Sequence, residues 1–307
     1  MSPPCGRYAP TPSGRLHLGN ARTALLCWLW ARALGGRYVL RVEDLDPGRS
    51  RAHFERDQLD DLRWLGLHWD EGPGAGGPHG PYRQSERAAL YEAALARLST
   101  FPCTCTRREL REAASVGPGR EPVYPGTCRD KVCHRDRPQA IRWRTPAGIV
   151  AFDDAVYGRQ CQDVASEVGE FVLRRADGAW AYQLAVVVDD AAMGVTHVLR
   201  GADLLDSSPR QMLLQQTLGL PTPRYAHVPL VLGPDGYKLG KRHGAPDITQ
   251  LRHEGVDPQR VIAILARSVG LVGPAVGRVS AQELVADFDI AAVPTTGSPL
   301  VWPTWAG

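Results

Sequence analysis

Gly6–Pro10 is a short apolar stretch that predicts a strand, running into the turn-rich Pro10-Thr11-Pro12-Ser13-Gly14. Ala21–Leu34 carries apolar residues at helical spacing, with Asn20 placed to cap the helix. Arg37–Glu43 alternates around Tyr38-Val39-Leu40 and predicts a second strand. Strand, glycine-containing turn, helix and strand make the first unit of a parallel α/β sheet. Arg51–Leu65 and Ser85–Leu98 predict helices, separated by the Gly/Pro-rich loop Gly72–Pro81.

The texture changes at Phe101. Cys103–Arg137 is rich in Cys, Arg, Gly and Pro and has little periodicity, and Ala140–Arg144, Ile149–Asp153 and Phe171–Arg175 predict short strands. The α/β rhythm then resumes: helix Tyr182–Ala192, strand His197–Arg200, helix Pro209–Leu218 and strand His227–Leu232. Helices are expected at Asp247–His253, Asp257–Val269 and Ala281–Phe288, followed by an extended tail. No internal repeat is visible. The expected organisation is a parallel-sheet domain in two halves, residues 1–98 and 176–232. An insertion at 99–175 splits it, and a small helical part follows at 233–307.

The chain has 307 residues, 43% hydrophobic and 22% charged, which is ordinary for a folded protein and excludes disorder over its whole length. The longest apolar run is Ala24–Ala31, far short of the roughly 20 residues that span a bilayer. No secretory signal opens the chain. Five of the seven Cys crowd into Cys103–Cys161, which is no spread disulfide framework and points to reduced thiols and a cytoplasmic protein. Net charge is only +3, yet Cys103–Thr145 holds ten Arg or Lys against five acids, a local +5 inside a near-neutral protein. A solvated basic face and a phosphate-binding surface both fit that excess.

Against 33 Arg the chain has three Lys, two of them in Lys238-Leu239-Gly240-Lys241-Arg242. An ammonium is a compact point charge where a guanidinium is a planar fork, and a mobile basic loop of this kind neutralises polyphosphate. His17-Leu18-Gly19-Asn20 stands at the start of the first predicted helix, where free N–H groups and the helix dipole favour an anion. Its glycine pattern is not the dinucleotide-binding fingerprint. Glu43, Asp44 and Asp46 follow the second strand, at the end of a parallel sheet where ligands sit, and suit an ammonium, a ribose hydroxyl or the capping of a helix. Cys103-Thr104-Cys105 and Cys128 cluster soft ligands that suit Zn²⁺, although reduced buried cysteines without metal fit the same spacing.

Taken together, these elements resemble class I aminoacyl-tRNA synthetases of the glutamyl type. Tyr8–Gly14 is similar to that group's opening, His17–Asn20 to its His-Ile-Gly-His element and Lys238–Arg242 to its Lys-Met-Ser-Lys-Ser loop. Arg41-Val42-Glu43-Asp44 and Val188-Asp189-Asp190 through His197-Val198-Leu199-Arg200-Gly201 also fit, so the likeness runs in order over roughly residues 6–245. Asn20 departs from the second His and Gly240 from the Ser. Only 65 residues follow Arg242, whereas the full glutamyl enzymes carry a large anticodon-binding part there. With Leu45-Asp46-Pro47 and Arg200–Leu205, the length points to the truncated glutamyl-queuosine tRNA(Asp) synthetases.

The resemblance implies an ATP-binding ligase that activates L-glutamate without tRNA. It then transfers the glutamate to the queuosine base at the wobble position of tRNA(Asp). Arg7 would pair with the glutamate side-chain carboxylate and Glu43 with its ammonium, while Tyr8, Ala9, Pro10, Thr11, Ser13, Tyr182 and Arg200 complete the pocket. His17, Gly19, Asn20, Lys238 and Lys241 would hold ATP, with His17 and Lys241 stabilising charge on its phosphates and Mg²⁺ accompanying it. Structural zinc would sit on Cys103, Cys105, Tyr124 and Cys128, with Cys133 or His134 the alternatives to Tyr124. A monomer is expected, with no membrane partner. The competing readings are a short synthetase charging tRNA(Glu) and a non-catalytic tRNA-binding relic.

Overall fold

The computed structural model describes residues 3–114, 123–131, 134, 136–233, 235–237, 239 and 246–297. Its first part runs β1 (Cys5–Tyr8), α1 (Leu18–Ala33), β2 (Arg37–Leu40), α2 (Ala52–Trp64) and α3 (Ala88–Leu95). Next come β3 (Thr100–Cys103), α4 (Arg107–Ala114), β4 (Ala140–Trp143), β5 (Ile149–Asp154), β6 (Gly158–Asp163), α5 (Val164–Glu167) and β7 (Val172–Arg174). α6 (Tyr182–Ala192), β8 (His197–Gly201), α7 (Ser207–Leu218) and β9 (Arg224–Val228) follow, then α8 (Ile248–His253) and α9 (Pro258–Arg267). No helix among the described residues is long and apolar enough to cross a membrane.

Four strands form a parallel sheet in the order β2-β1-β8-β9. Its strands are buried on both faces, as parallel sheets covered by crossover helices are. Tyr38, Leu40, Leu199 and Ala226 enter a core with α1 and α9, while Cys5, Val39, Val198 and Tyr225 enter a second core with α3, α6 and α7. The period-two alternation of a strand therefore sorts neighbouring residues into two cores. Between the sheet's two halves lie an antiparallel sheet, β3-β4-β7, and a hairpin, β5-β6. Within this expected insertion, Trp143, Val150, Phe152, Val164, Phe171 and Leu173 join the second core of the parallel sheet. Phe101, Cys103, Tyr124 and Cys128 form a small core of their own.

Several boundaries differ from the sequence reading. α1 begins at Leu18, and His17 rather than Asn20 is its cap. β9 ends at Val228, because Pro229 cannot extend a parallel ladder that needs its N–H. Ala281–Phe288 forms turns, not a helix; its helical spacing reports burial of Ala281 and Leu284 against the first core. α4, unexpected in a stretch of low periodicity, starts from a reciprocal cap. Thr106 N donates to Glu109 Oε2 at 2.7 Å, and Glu109 N to Thr106 Oγ1 at 3.2 Å. The tail at 298–307 lies outside the described residues.

Candidate active site

The C-terminal ends of β1, β2 and β8 open onto a cleft of about 1190 Å³. One end is the start of α1. The His17 Nδ1 accepts the Asn20 N–H at 3.2 Å, which places the proton of the neutral ring on Nε2. Gly19 permits this: a Cβ there would lie 3.0 Å from the ring. Asp247, which caps α8, bridges to His17 through the backbone and keeps the segment after the lysine loop beside the helix start.

The other end holds a buried charge network. Arg41 is fully buried and donates to Asp190 at 2.7 Å and to Glu43 at 3.0 Å. Arg7 donates to the same Asp190 oxygen at 3.3 Å and to the Leu199 carbonyl at 3.2 Å. Asp190 thus spaces two guanidinium groups, and they in turn hold its carboxyl below the usual range against burial. Burial raises the Glu43 carboxyl in spite of Arg41 and Arg7, so a ligand cation would find an anion that gains from pairing. Asp189, behind them, accepts from Arg87, Gln84 and Tyr91. Arg200 rises from β8 and donates to the Tyr182 hydroxyl at 3.1 Å.

Arg7, Tyr8, Ala9, Pro10, Thr11, Ser13, His17, Gly19, Asn20, Glu43, Tyr182 and Arg200 all line this one cleft. Lys238 and Lys241 lie outside the described residues; their neighbours Leu239 and Asp247 line the cleft. The three carboxylates after β2 do not act together. Glu43 faces the cleft, Asp44 accepts from the N–H and hydroxyl of Ser85, and Asp46 accepts from Gly48 and Arg175. Asp44 is therefore tied to Ser85 and not turned to the cleft. No role was read from sequence for Arg41, Asp154, Asp190, Ser208, Gln211 or His227. Arg41, two residues before Glu43 on the same side of an extended segment, and Asp190, within the Val188-Asp189-Asp190 stretch, carried a usable signal.

A second cleft of about 720 Å³ shares Thr11, Glu43, Arg49 and Tyr182 with the first and is bounded by Arg107 and Arg111 of α4 and by Tyr124. Beside it the sulfurs of Cys103, Cys105 and Cys128 lie within 4.8 Å of one another. Zn–S bonds of 2.3 Å set tetrahedral sulfur pairs about 3.8 Å apart and a sulfur–oxygen pair about 3.5 Å apart. Cys105 and Cys128 are separated by 3.6 Å, and Cys103 and the Tyr124 oxygen by 3.5 Å. That oxygen also accepts the Cys128 N–H at 2.7 Å, and Arg142 lies over the Tyr124 ring at 3.9 Å. These two separations match those of a tetrahedral soft-metal site. Burial and the neighbouring thiols push Cys105 up to about 12, so this thiol needs a cation beside it to become thiolate. His134 does not join the cluster among the described residues, and Cys133 lies outside them.

Comparison with known proteins identifies the family. The glutamyl-Q tRNA(Asp) synthetase of Symbiobacterium thermophilum is 52% identical over 304 residues, 94% of each chain. That of Deinococcus radiodurans is 53% identical over 269 residues, 86% of this chain and 88% of its own. The crystal structure of a glutamate tRNA ligase from Elizabethkingia meningosepticum, in complex with its amino acid, superposes with a TM-score of 0.84 at 29% identity. It covers 98% of this chain and 67% of that one. Residues 5–296 match the catalytic domain of the class I tRNA synthetases (E and Q), and the chain belongs to that family.

Proposed function

We propose that the chain activates L-glutamate with ATP in the absence of tRNA and transfers it to the queuosine base at the wobble position of tRNA(Asp). What carries this reading is the convergence in one cleft of an ammonium site, a carboxylate site and a helix start. Glu43 takes the α-ammonium, and Arg7, already oriented by Asp190, offers its fork to the side-chain carboxylate. Tyr182 and Arg200 close the pocket. The α-carboxylate oxygen attacks the α-phosphorus of ATP; the new O–P bond forms as the bond to pyrophosphate breaks. His17 Nε2–H, the start of α1, and Lys238 and Lys241 stabilise the charge on the phosphates. No protein nucleophile is needed, because positioning and electrostatics lower the barrier. Mg²⁺ enters with ATP. In the second step the nucleophile of the base adds to the glutamyl carbonyl and AMP leaves.

The shared wall of the two clefts supports the second step. The acceptor base reaches the activated glutamate past Thr11, Glu43 and Tyr182, while Arg107 and Arg111 meet the backbone phosphates. Zinc, held by Cys103, Cys105, Tyr124 and Cys128, has all four positions filled by protein and is structural. The enzyme acts as a monomer in the cytoplasm, where reduced thiols such as those of Cys5 and Cys27 persist. The catalytic unit comprises residues 1–98 and 176–232, with 99–175 as the insertion and 233–307 as the lysine loop and helical part. Glutamate-dependent ATP–pyrophosphate exchange without tRNA, followed by transfer to queuosine-bearing tRNA(Asp) and to tRNA(Glu), tests the reading. Exchange together with transfer to tRNA(Asp) alone is expected. Charging of tRNA(Glu), or ATP binding without exchange, would overturn it.

A further inference from the structure

The structure assigns a positioning pair to the amino-acid end of the cleft: Asp154 and His227 together aim Arg200, an assignment that rests on the reading of this cleft as the glutamate site. Asp154 ends β5, in the hairpin of the inserted stretch, and His227 lies in β9 of the parallel sheet. Both are buried, as is Arg200.

The argument is one of protons. His227 Nδ1 lies 2.6 Å from Asp154 Oδ2. A carboxylate only accepts, so Nδ1 carries the hydrogen. The carboxylate cannot turn away, because Oδ1 accepts the backbone N–H groups of Val156, Tyr157 and His227 at 3.0, 2.9 and 3.2 Å. The neutral ring then presents a lone pair at Nε2. That lone pair faces the Arg200 Nε–H at 3.0 Å and the Ser208 hydroxyl at 3.2 Å. The opposite tautomer would set an N–H against the guanidinium N–H, donor against donor. Burial and the Arg200 charge both keep the ring neutral, working against Asp154.

The rest of Arg200 is similarly accounted for. Nη1 donates to the Tyr182 oxygen at 3.1 Å and to Gln211 Oε1 at 2.7 Å, and Nη2 donates to Ser208 at 2.8 Å. Gln211 cannot flip, since its Nε2 donates to Gln183 at 2.9 Å. Of the five guanidinium N–H groups, the one left over is on Nη2. Tyr182 accepts from Arg200, so its own proton is available to a ligand. Two donors, one from each residue, are therefore left for a ligand in the cleft that both residues line, and the guanidinium keeps this setting only while Nε2 of His227 accepts. The hairpin of the insertion is in this way part of the amino-acid pocket, although its carboxylate reaches no substrate.

The test uses the full-length enzyme and three variants: Asp154→Asn, His227→Phe and His227→Gln. Asn lets the ring take the wrong tautomer, Phe removes the acceptor, and Gln can restore an oxygen near the position of Nε2. In pyrophosphate exchange, Asp154→Asn and His227→Phe should raise the KM for glutamate about tenfold or more, the effect of losing one hydrogen bond to a charged group. The KM for ATP should stay near wild type, and His227→Gln should recover much of the glutamate KM. Side-chain nitrogen NMR of the wild type should find the His227 proton on Nδ1. A glutamate KM unchanged in both Asp154→Asn and His227→Phe, equal rises for glutamate and ATP, or a proton on Nε2 would each overturn the pair. A wild-type enzyme without exchange would instead overturn the glutamate reading, and the pair's role with it.

Discussion

Arg41 never meets a substrate, yet it supports two residues that face the cleft. It is enclosed by Glu43, Asp190 and Asp189, the last at 3.8 Å, and is fully buried. Removing one partner of such a network strands charge in a poor dielectric. Arg41→Met should therefore destabilise the fold by about 3–5 kcal/mol, read from urea unfolding followed by circular dichroism. An unfolding midpoint like that of the wild type would show that water reaches these carboxylates. Lys241→Ala should behave in the opposite way. An ammonium acting on developing phosphate charge contributes on the order of 2.7–4 kcal/mol, so exchange should slow by roughly 10²–10³-fold. The melting temperature should hold; an exchange rate near wild type would remove Lys241 from the phosphate site. The polar residues that face the ligand were legible in the sequence because they stand in short local patterns, as in Tyr8–Gly14 and His17–Asn20. The roles of Asp190, Asp154 and His227 were not, since they arise from contacts across more than 70 residues: Arg7 with Asp190, and Asp154 with His227.

Among the elements, β1 and α1 are joined by a close approach that explains Gly6. A Cβ there would lie 2.9 Å from the Ala31 Cβ. Neither atom sits on a flexible side chain, so Gly6→Ala must push α1 off the sheet. A loss of about 1–3 kcal/mol is expected, as for other overpacked cores. Because α1 also presents His17, pyrophosphate exchange should slow in parallel; loss of stability with normal exchange would uncouple the helix from the site. Apolar periodicity gave β1, β2, β8 and their helices well, for these strands are buried runs, but the strand expected at His227–Leu232 overlaps β9 by only two residues. It failed at Ala281–Phe288, where buried spacing does not require a helix. It also missed α4, whose signal was the Thr106–Glu109 cap and not a hydrophobic stripe, and β6, whose sequence Gly158–Asp163 is almost wholly polar.

For the whole molecule, the division between the small cysteine core and the two large cores sets the pattern of failure when metal is lost. Phe101, Cys103, Tyr124 and Cys128 bury too little apolar surface to hold the 101–131 region by themselves, so much of its stability should come from the ion. Chelation, or Cys128→Ser, should release about one zinc per chain and leave glutamate activation largely intact while transfer to tRNA falls. Transfer should also weaken with rising salt more steeply than activation, since it alone depends on contacts with a nucleic-acid backbone. Parallel loss of both activities in one chelated sample would make the cysteine region a brace of the catalytic cleft. A different consequence follows from the strand order. β1 is made long before β8, yet the two lie side by side within the sheet, where Gly6 pairs with His197. Cys5 and Thr196, which hydrogen-bond beside that pair, are 191 residues apart. At translation speeds of about 5–20 residues per second, one edge of β1 waits roughly 10–40 s on the ribosome for its neighbour. During that interval the nascent chain carries an open strand edge next to the apolar run of α1, a template on which another chain can pair.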